Sequence, residues 1–208
     1  LFLDELPEFE RRALEVLREP LERRNITLAR ATWQAEYPAG FQLVAAMNPC
    51  PCGHLGDPGR ACRCTPEQVQ RYRGRLSGPL LDRIDIQVQV PPVAASALFS
   101  HGPEAAPEST AIVAARVAAA RQIALARQGA PNGELRGVDL IARGDLLPEA
   151  EAELPRIAAR RGLSARAVHA VLRVARTLAD LGGSAQIDAS RLLEAIALRD
   201  FDRRPAPG

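Results

Sequence analysis

The sequence predicts an α/β domain, built on a partial parallel sheet with one β-hairpin, followed by an all-α domain. Three observations carry this reading. The apolar run Leu1-Phe2-Leu3 ends in the adjacent acids Asp4 and Glu5, and Pro7 stops regular continuation; this is the pattern of a buried parallel strand whose carboxyl end opens on a crevice. A second apolar run, Phe41 to Met47, ends at Asn48-Pro49 and reads as another buried strand. From Ser109 onward the apolar residues recur only at helical spacing.

Between the two strand segments, Phe9, Leu14, Leu17 and Leu21 predict one helix over Glu8 to Leu21, begun by Pro7 and ended near Pro20. Its arginines lie among glutamates and read as a solvated, salt-bridged face. Asn25 to Arg30 and Trp33 to Tyr37, joined at Ala31-Thr32, alternate as a β-hairpin. Arg23, Arg24, Arg30 and Trp33 surround it. They suit phosphate pairing and stacking on nucleic acid, or an ordinary hairpin with Trp33 in the core. Thr65 and Pro66 open a further helix running toward Arg75, and Ser77-Gly78-Pro79 break it. Leu80 to Asp85 then lead into an expected strand, Ile86 to Val90, closing a first domain over residues 1–93. Residues 94–108 read as a linker and 109–208 as the helical domain. Its helices are expected over Thr110 to Gln128, Glu149 to Arg161, Ala165 to Leu181 and Asp188-capped Ala189 to Arg199. In the first of these, Ile112, Val113, Val117, Ile123 and Leu125 form the apolar stripe.

Composition narrows the class. At 208 residues the chain holds one to two domains, and its net charge of +2 favours no partner by bulk charge. All its basic residues are Arg. No stretch has the length and apolarity of a membrane span, and no signal peptide is visible. The four cysteines all lie between Cys50 and Cys64. That clustering points to a metal site rather than a disulfide framework, and to a cytoplasmic setting.

The residues that carry chemistry sit at strand ends and in loops. Of Asp4 and Glu5, one acid can hold Mg²⁺ through oxygen and the other can polarise a water; the alternative is a strand that ends in solvated acids. Asn48, at the end of the neighbouring strand, can orient a water against a phosphate, or serve the turn before Pro49. Cys50, Cys52, Cys62 and Cys64 form two C-x-C pairs around a loop rich in Gly and Pro. Four thiolates suit a closed, structural Zn²⁺ site, with His54 as an alternative ligand. Arg83 lies between the apolar positions Leu81 and Ile84 and needs a partner, either Asp82 or Asp85, or a phosphate on a neighbouring subunit. Arg166 stands near a helix start, where positive charge is disfavoured. That placement suits an arginine aimed at an external anion.

Taken together, the segments LFLDELPEF, AAMNPCPCGHLGDPGRACRCTP, SGPLLDRIDI and GLSARAVHAVLRVARTLADL resemble the magnesium-chelatase-like AAA+ ATPases of the ComM type over nearly the whole chain. The resemblance implies the back half of an AAA+ P-loop ATPase core followed by an all-α lid. It implies that Asp4 and Glu5 are the Walker B pair, with Asp4 on Mg²⁺-ATP and Glu5 activating water. Asn48 would be sensor 1, Arg83 an arginine finger offered to the next subunit, and Arg166 the sensor 2 arginine on ATP phosphate. The hairpin would match the pre-sensor-1 hairpin, which faces the central pore in related ring helicases; its own Arg and Trp content gives the expectation that Arg24 and Arg30 contact DNA. The family's activity would be that of homo-hexameric, ATP-driven motors promoting branch migration on DNA in natural transformation. The chain starts within a strand and contains neither a lysine nor a G-x-x-x-x-G-K-[ST] loop. It is therefore expected to be a fragment, inactive on its own. Two other readings remain: a magnesium chelatase motor subunit driving metal insertion into a porphyrin, and a zinc-stapled interaction module.

Overall fold

The structure is a computed structural model and describes residues 1–93, 108–135, 139, 143 and 145–199. It divides into two compact units, Leu1–Ile84 and Asp85–Gly208.

In the first unit, β1 (Phe2–Leu3) pairs in parallel with β4 (Val44–Ala45), in the register Phe2↔Val44 and Leu3↔Ala45. The ladder continues past the strands, because Ala46 N donates to Leu3 O and Leu6 N donates to Ala46 O. Both strands are shorter than the apolar runs predict, and they are not buried: Phe2 is 63% and Val44 50% exposed. Two strands alone have too few neighbours to cover an apolar face. The core lies below the strand ends, where Leu6, Leu14, Leu76 and Leu80 pack with Leu3, Leu17, Leu21 and Met47.

The single helix expected over Glu8 to Leu21 is instead a 3₁₀ turn (Leu6–Glu8), α1 (Arg11–Val16) and α2 (Arg18–Arg23). Pro20 does not end the helix; it sits in the first turn of α2. Its missing N–H costs nothing there, but its ring excludes a helical carbonyl four residues earlier, at Val16, which is where α1 stops. Arg24, with φ +60°, ends α2 and turns the chain into the hairpin of β2 (Asn25–Arg30) and β3 (Trp33–Pro38). Trp33 is 47% exposed, so the core placement considered for it does not hold.

Helix α3 (Pro66–Arg73) carries the expected cap. Thr65 Oγ1 accepts from Gln68 N, and Gln68 Oε1 accepts from Thr65 N. The Ser77-Gly78-Pro79 break opens a further turn, α4 (Gly78–Leu81), whose N-cap Ser77 accepts from Leu80 N.

The second unit begins with Asp85, whose carboxylate is held by Arg173 Nη2 at 2.7 Å and Nε at 3.2 Å. The strand expected over Ile86 to Val90 is absent. Gln87 N donates to Leu198 O at a helix end, and Ile86, Val88 and Val90 are exposed. An extended segment without a neighbouring strand has no ladder to complete.

Four α-helices, α5 (Thr110–Gln128), α6 (Pro148–Arg161), α7 (Ala165–Leu181) and α8 (Ala189–Ala197), and a 3₁₀ turn after α5 (Asn132–Glu134) make most of the rest of the described unit. Ser109, Ser164 and Asp188 cap α5, α7 and α8 as expected, although α8 stops short of Arg199. α7 is the centre of this unit, touching α5 and α8. Val171, Val174, Ala175 and Ala179 on α7 pack with Ile157, Leu192, Ala195 and Ile196. The face that α5 buries differs from the expected stripe. Ala120 and Ala124 are covered, whereas Ile112, Val117 and Ile123 are exposed, because small side chains let α5 approach α7 closely. All but one residue of the expected linker, Glu108, lies outside the described residues.

Candidate functional site

The parallel register sets the geometry of the first candidate site. Because Leu3 is level with Ala45, the acids Asp4 and Glu5 and the amide Asn48 leave the same end of the β1–β4 pair. All three side chains are solvent-exposed. Asp4 Oδ1 accepts from Glu5 N at 2.9 Å, which fixes one carboxylate oxygen beside the strand end. Glu5 adopts φ +50°, ψ +46°, a left-handed conformation uncommon for a residue with a side chain. The turn is closed by Glu8 N donating to Glu5 O at 2.8 Å, and by the burial of Leu6 and Pro7 beneath it. The strain is therefore held by packing directly after the two acids, as is common at functional strand ends.

The chain passes from Asn48-Pro49 straight into the cysteine loop. Arg73 Nε on α3 donates to Pro49 O at 3.2 Å and anchors its start. Gly53 supplies the positive φ of +81° that lets the loop fold back on Cys50 O. Cys50 is fully buried, and the sulfurs of Cys50, Cys52 and Cys62 lie 3.5–3.6 Å apart. All four sulfurs lie within 4.8 Å of one another, and none is in a disulfide. Sulfurs on a tetrahedral zinc at about 2.3 Å stand roughly 3.8 Å apart, so the donor set fits such an ion. His54 is not part of the cluster: its Nδ1 faces Asp57 Oδ2 at 3.4 Å. The thiols are not equivalent. Backbone amides of Arg63 and His54 lower Cys52 to about 6, whereas burial pushes Cys64 up to about 12. Without a cation the four cannot ionise together, since each thiolate repels the next.

Arg83 pairs with neither of the acids its sequence position suggests. Asp85 is held by Arg173, while Arg83 Nη2 donates to Glu22 on α2 and Nη1 donates to Pro79 O at 2.6 Å. Only 10% of its side chain is exposed. Arg166 is exposed in the first turn of α7. On the hairpin, the cross-strand pairs Ile26–Tyr37, Leu28–Ala35 and Arg30–Trp33 share one face. Leu28, Trp33 and Tyr37 on it are each nearly half exposed. Arg24 lies at the hairpin base rather than at its tip.

A second polar cluster carries no motif in the sequence. Asp180, 3% exposed, accepts from Arg127 Nη1 at 2.6 Å, Asn132 Nδ2 at 2.8 Å and Arg176 Nη2 at 3.0 Å. Burial opposes its ionisation, but these donors outweigh burial and hold the carboxyl below its ordinary value. Its residues come from α5, the following turn and α7, so helical periodicity alone does not bring them together. The three donors that reach Asp180 are spent on a buried protein carboxylate, which gives the cluster a structural role, although Arg176 Nε is buried without a hydrogen-bond partner.

The family described as magnesium chelatase, subunit ChlI, matches residues 1–98, and magnesium chelatase, subunit ChlI C-terminal, matches residues 107–199. The chain belongs to this family, and within it to the ComM/YifB type. It is 45% identical over 203 residues to the uncharacterized protein YifB of Salmonella typhimurium, and 43% identical over 203 residues to the competence protein ComM of Haemophilus influenzae. To the uncharacterized protein YifB of Escherichia coli it is 46% identical over 206 residues. Each comparison covers 98% of this chain and 39% of the relative, so the chain spans about two fifths of the length of the curated relatives it matches.

Proposed function

We propose that this chain carries the hydrolytic and lid elements of an AAA+ ATPase, part of a longer polypeptide that assembles as a homo-hexameric ring and moves on DNA. The observation that carries the reading is the parallel register of β1 and β4, with two acids and an asparagine leaving one end of the pair. Parallel strands open their ligand sites at that end. Exposed carboxylate oxygens fit a hard cation such as Mg²⁺. Asp4 would hold Mg²⁺ with ATP, and the bound ion would draw negative charge from the phosphate oxygens.

In this reading Glu5 takes a proton from the attacking water, and Asn48 orients that water by hydrogen bonding. Both roles need side chains held at the strand end, and the strained turn at Glu5 supplies the rigidity. Arg83 stabilises the charge that develops on the phosphate of a neighbouring subunit's site, and Arg166 contacts phosphate from the lid. The cysteine loop holds one structural Zn²⁺, and the hairpin meets DNA through Arg24 and Arg30. The name of one relative, competence protein ComM, supports a role in competence, for which we infer action on DNA. A cytoplasmic location follows from that role. No described helix is long and apolar enough to cross a membrane.

The test is ATP hydrolysis by the full-length polypeptide with and without DNA. Glu5→Gln and Arg83→Ala should each keep ATP binding and lose turnover, the latter by about 10³-fold or more. Mixing the two variants should restore part of the activity, because some interfaces regain an intact Glu5 and an intact Arg83. DNA should stimulate the unmodified enzyme. Hydrolysis that is indifferent to DNA but stimulated by a porphyrin and its metal-insertion partners would favour the chelatase motor instead.

A further inference from the structure

We infer that Glu22 is a positioning residue that stows Arg83, so that the arginine is released only when phosphate oxygens compete for it. The inference rests on the reading of Arg83 as a finger acting across a subunit interface. That role and the observed side chain do not match. A guanidinium that reaches another subunit must present its donors to solvent, yet only 10% of the Arg83 side chain is exposed. Nη1 is bound to Pro79 O, Nη2 is bound to Glu22, and Nε is buried without a hydrogen-bond partner.

The two restraints differ in kind. Pro79 lies four residues earlier, in the one-turn helix α4. Arg83 therefore carries that acceptor on its own segment. Glu22 lies on α2, far away in sequence, and its side chain is 45% exposed. It is the restraint that a ligand can displace. A single carboxylate offers one negative charge and one of its oxygens to Nη2, whereas nucleotide phosphate offers more charge and more oxygens to the same planar fork. Exchange of Glu22 for phosphate would also give the buried Nε a path to a partner. In the resting chain the finger is thus neutralised, and turnover includes the step of leaving Glu22.

Glu22→Gln keeps the shape of the side chain and removes its charge. A half-exposed ion pair is weak, so its loss should raise kcat roughly two- to five-fold. If Glu22 acts only through Arg83, KM for ATP should stay the same. Glu22→Asp keeps the charge and should lie between the two. The decisive comparison is made in full-length rings carrying Glu22→Gln, Arg83→Ala or both. If Glu22 acts through Arg83, Glu22→Gln has no effect once Arg83 is gone, and Glu22→Ser repeats the comparison with a second side chain. Unchanged kcat in folded Glu22→Gln rings would overturn the inference. So would a loss as deep as that of Arg83→Ala, or the same gain in the Arg83→Ala background. Near-normal turnover by Arg83→Ala alone would remove the finger itself, a failure distinct from silence of the Glu22 substitutions.

Discussion

At the scale of single residues, Asp180 carries the sharpest energetic consequence. It is buried in the helical unit and forms ion pairs with two arginines, Arg127 and Arg176, which also face Asp145. Arg176 is itself 3% exposed and also donates to Ser184 O and Ala185 O. Removing one partner of such a group leaves uncompensated buried charge, which costs about 3–5 kcal/mol. Asp180→Ala is expected to lose stability on that order in urea unfolding at neutral pH. The pH dependence has a defined sign. The carboxyl titrates lower in the folded protein than in the unfolded chain, so the unfolded state binds more protons as acid is added. The stabilisation is complete above the ordinary carboxyl range near pH 4 and is lost as pH falls through the lower, folded value. Urea midpoints measured from pH 6 down to pH 2 should fall for the natural sequence, and fall less steeply for Asp180→Ala.

At the scale of elements, the hairpin separates recognition from packing. One face gathers Tyr37, Leu28 and Trp33 in the open, with Arg30 beside Trp33 at the tip. An exposed aromatic face with an adjacent cation suits stacking and phosphate contact in any base sequence. Arg24 and Arg30 replaced together by Ala should weaken DNA binding by the full-length protein. If both contact phosphate, the slope of log affinity against log salt should flatten by up to about 2 on duplex DNA and somewhat less on single strands. An unchanged slope would give the hairpin a purely structural role. The strands themselves were legible from alternation, because a hairpin is a local structure with its pairing partner a few residues away. The break between α1 and α2 was not, since the apolar spacing from Phe9 to Leu21 runs across it. Only the clash of Pro20 with a carbonyl four residues earlier divides the helix there.

At the scale of the whole molecule, each of the two units has its own hydrophobic cluster, and only the first contains the four cysteines. A bound metal should therefore stabilise the units unequally. Protein purified without chelator is expected to contain one zinc per chain. Stripping it should release hydrogen-exchange protection across Cys50 to Leu76 while leaving α7 and α8 protected. Cys62→Ser should lower metal content and give the same local pattern. A metal content near zero with four freely reactive thiols, or equal loss of protection in both units, would contradict the zinc staple.

Local patterning was sufficient for the capped helices, the hairpin, the cysteine cluster and the acid-tipped first strand. Each is specified by residues within one or two turns or a single loop, where hydrogen-bonding and spacing rules act directly. The fold brought what lies far apart in the chain. It gave Arg83 to Glu22 rather than to Asp82 or Asp85, and Asp85 to Arg173. It assembled Arg127, Asn132, Arg176 and Asp180 into one buried network. Among the described residues it also gave Ile86 to Val90 no strand to pair with, and it chose alanines rather than the larger residues of α5 as the buried face. These outcomes share one physical reason. A charge takes the partner that packing brings within hydrogen-bonding distance, and an apolar face is buried only where a second surface meets it; neither is set by neighbours in sequence.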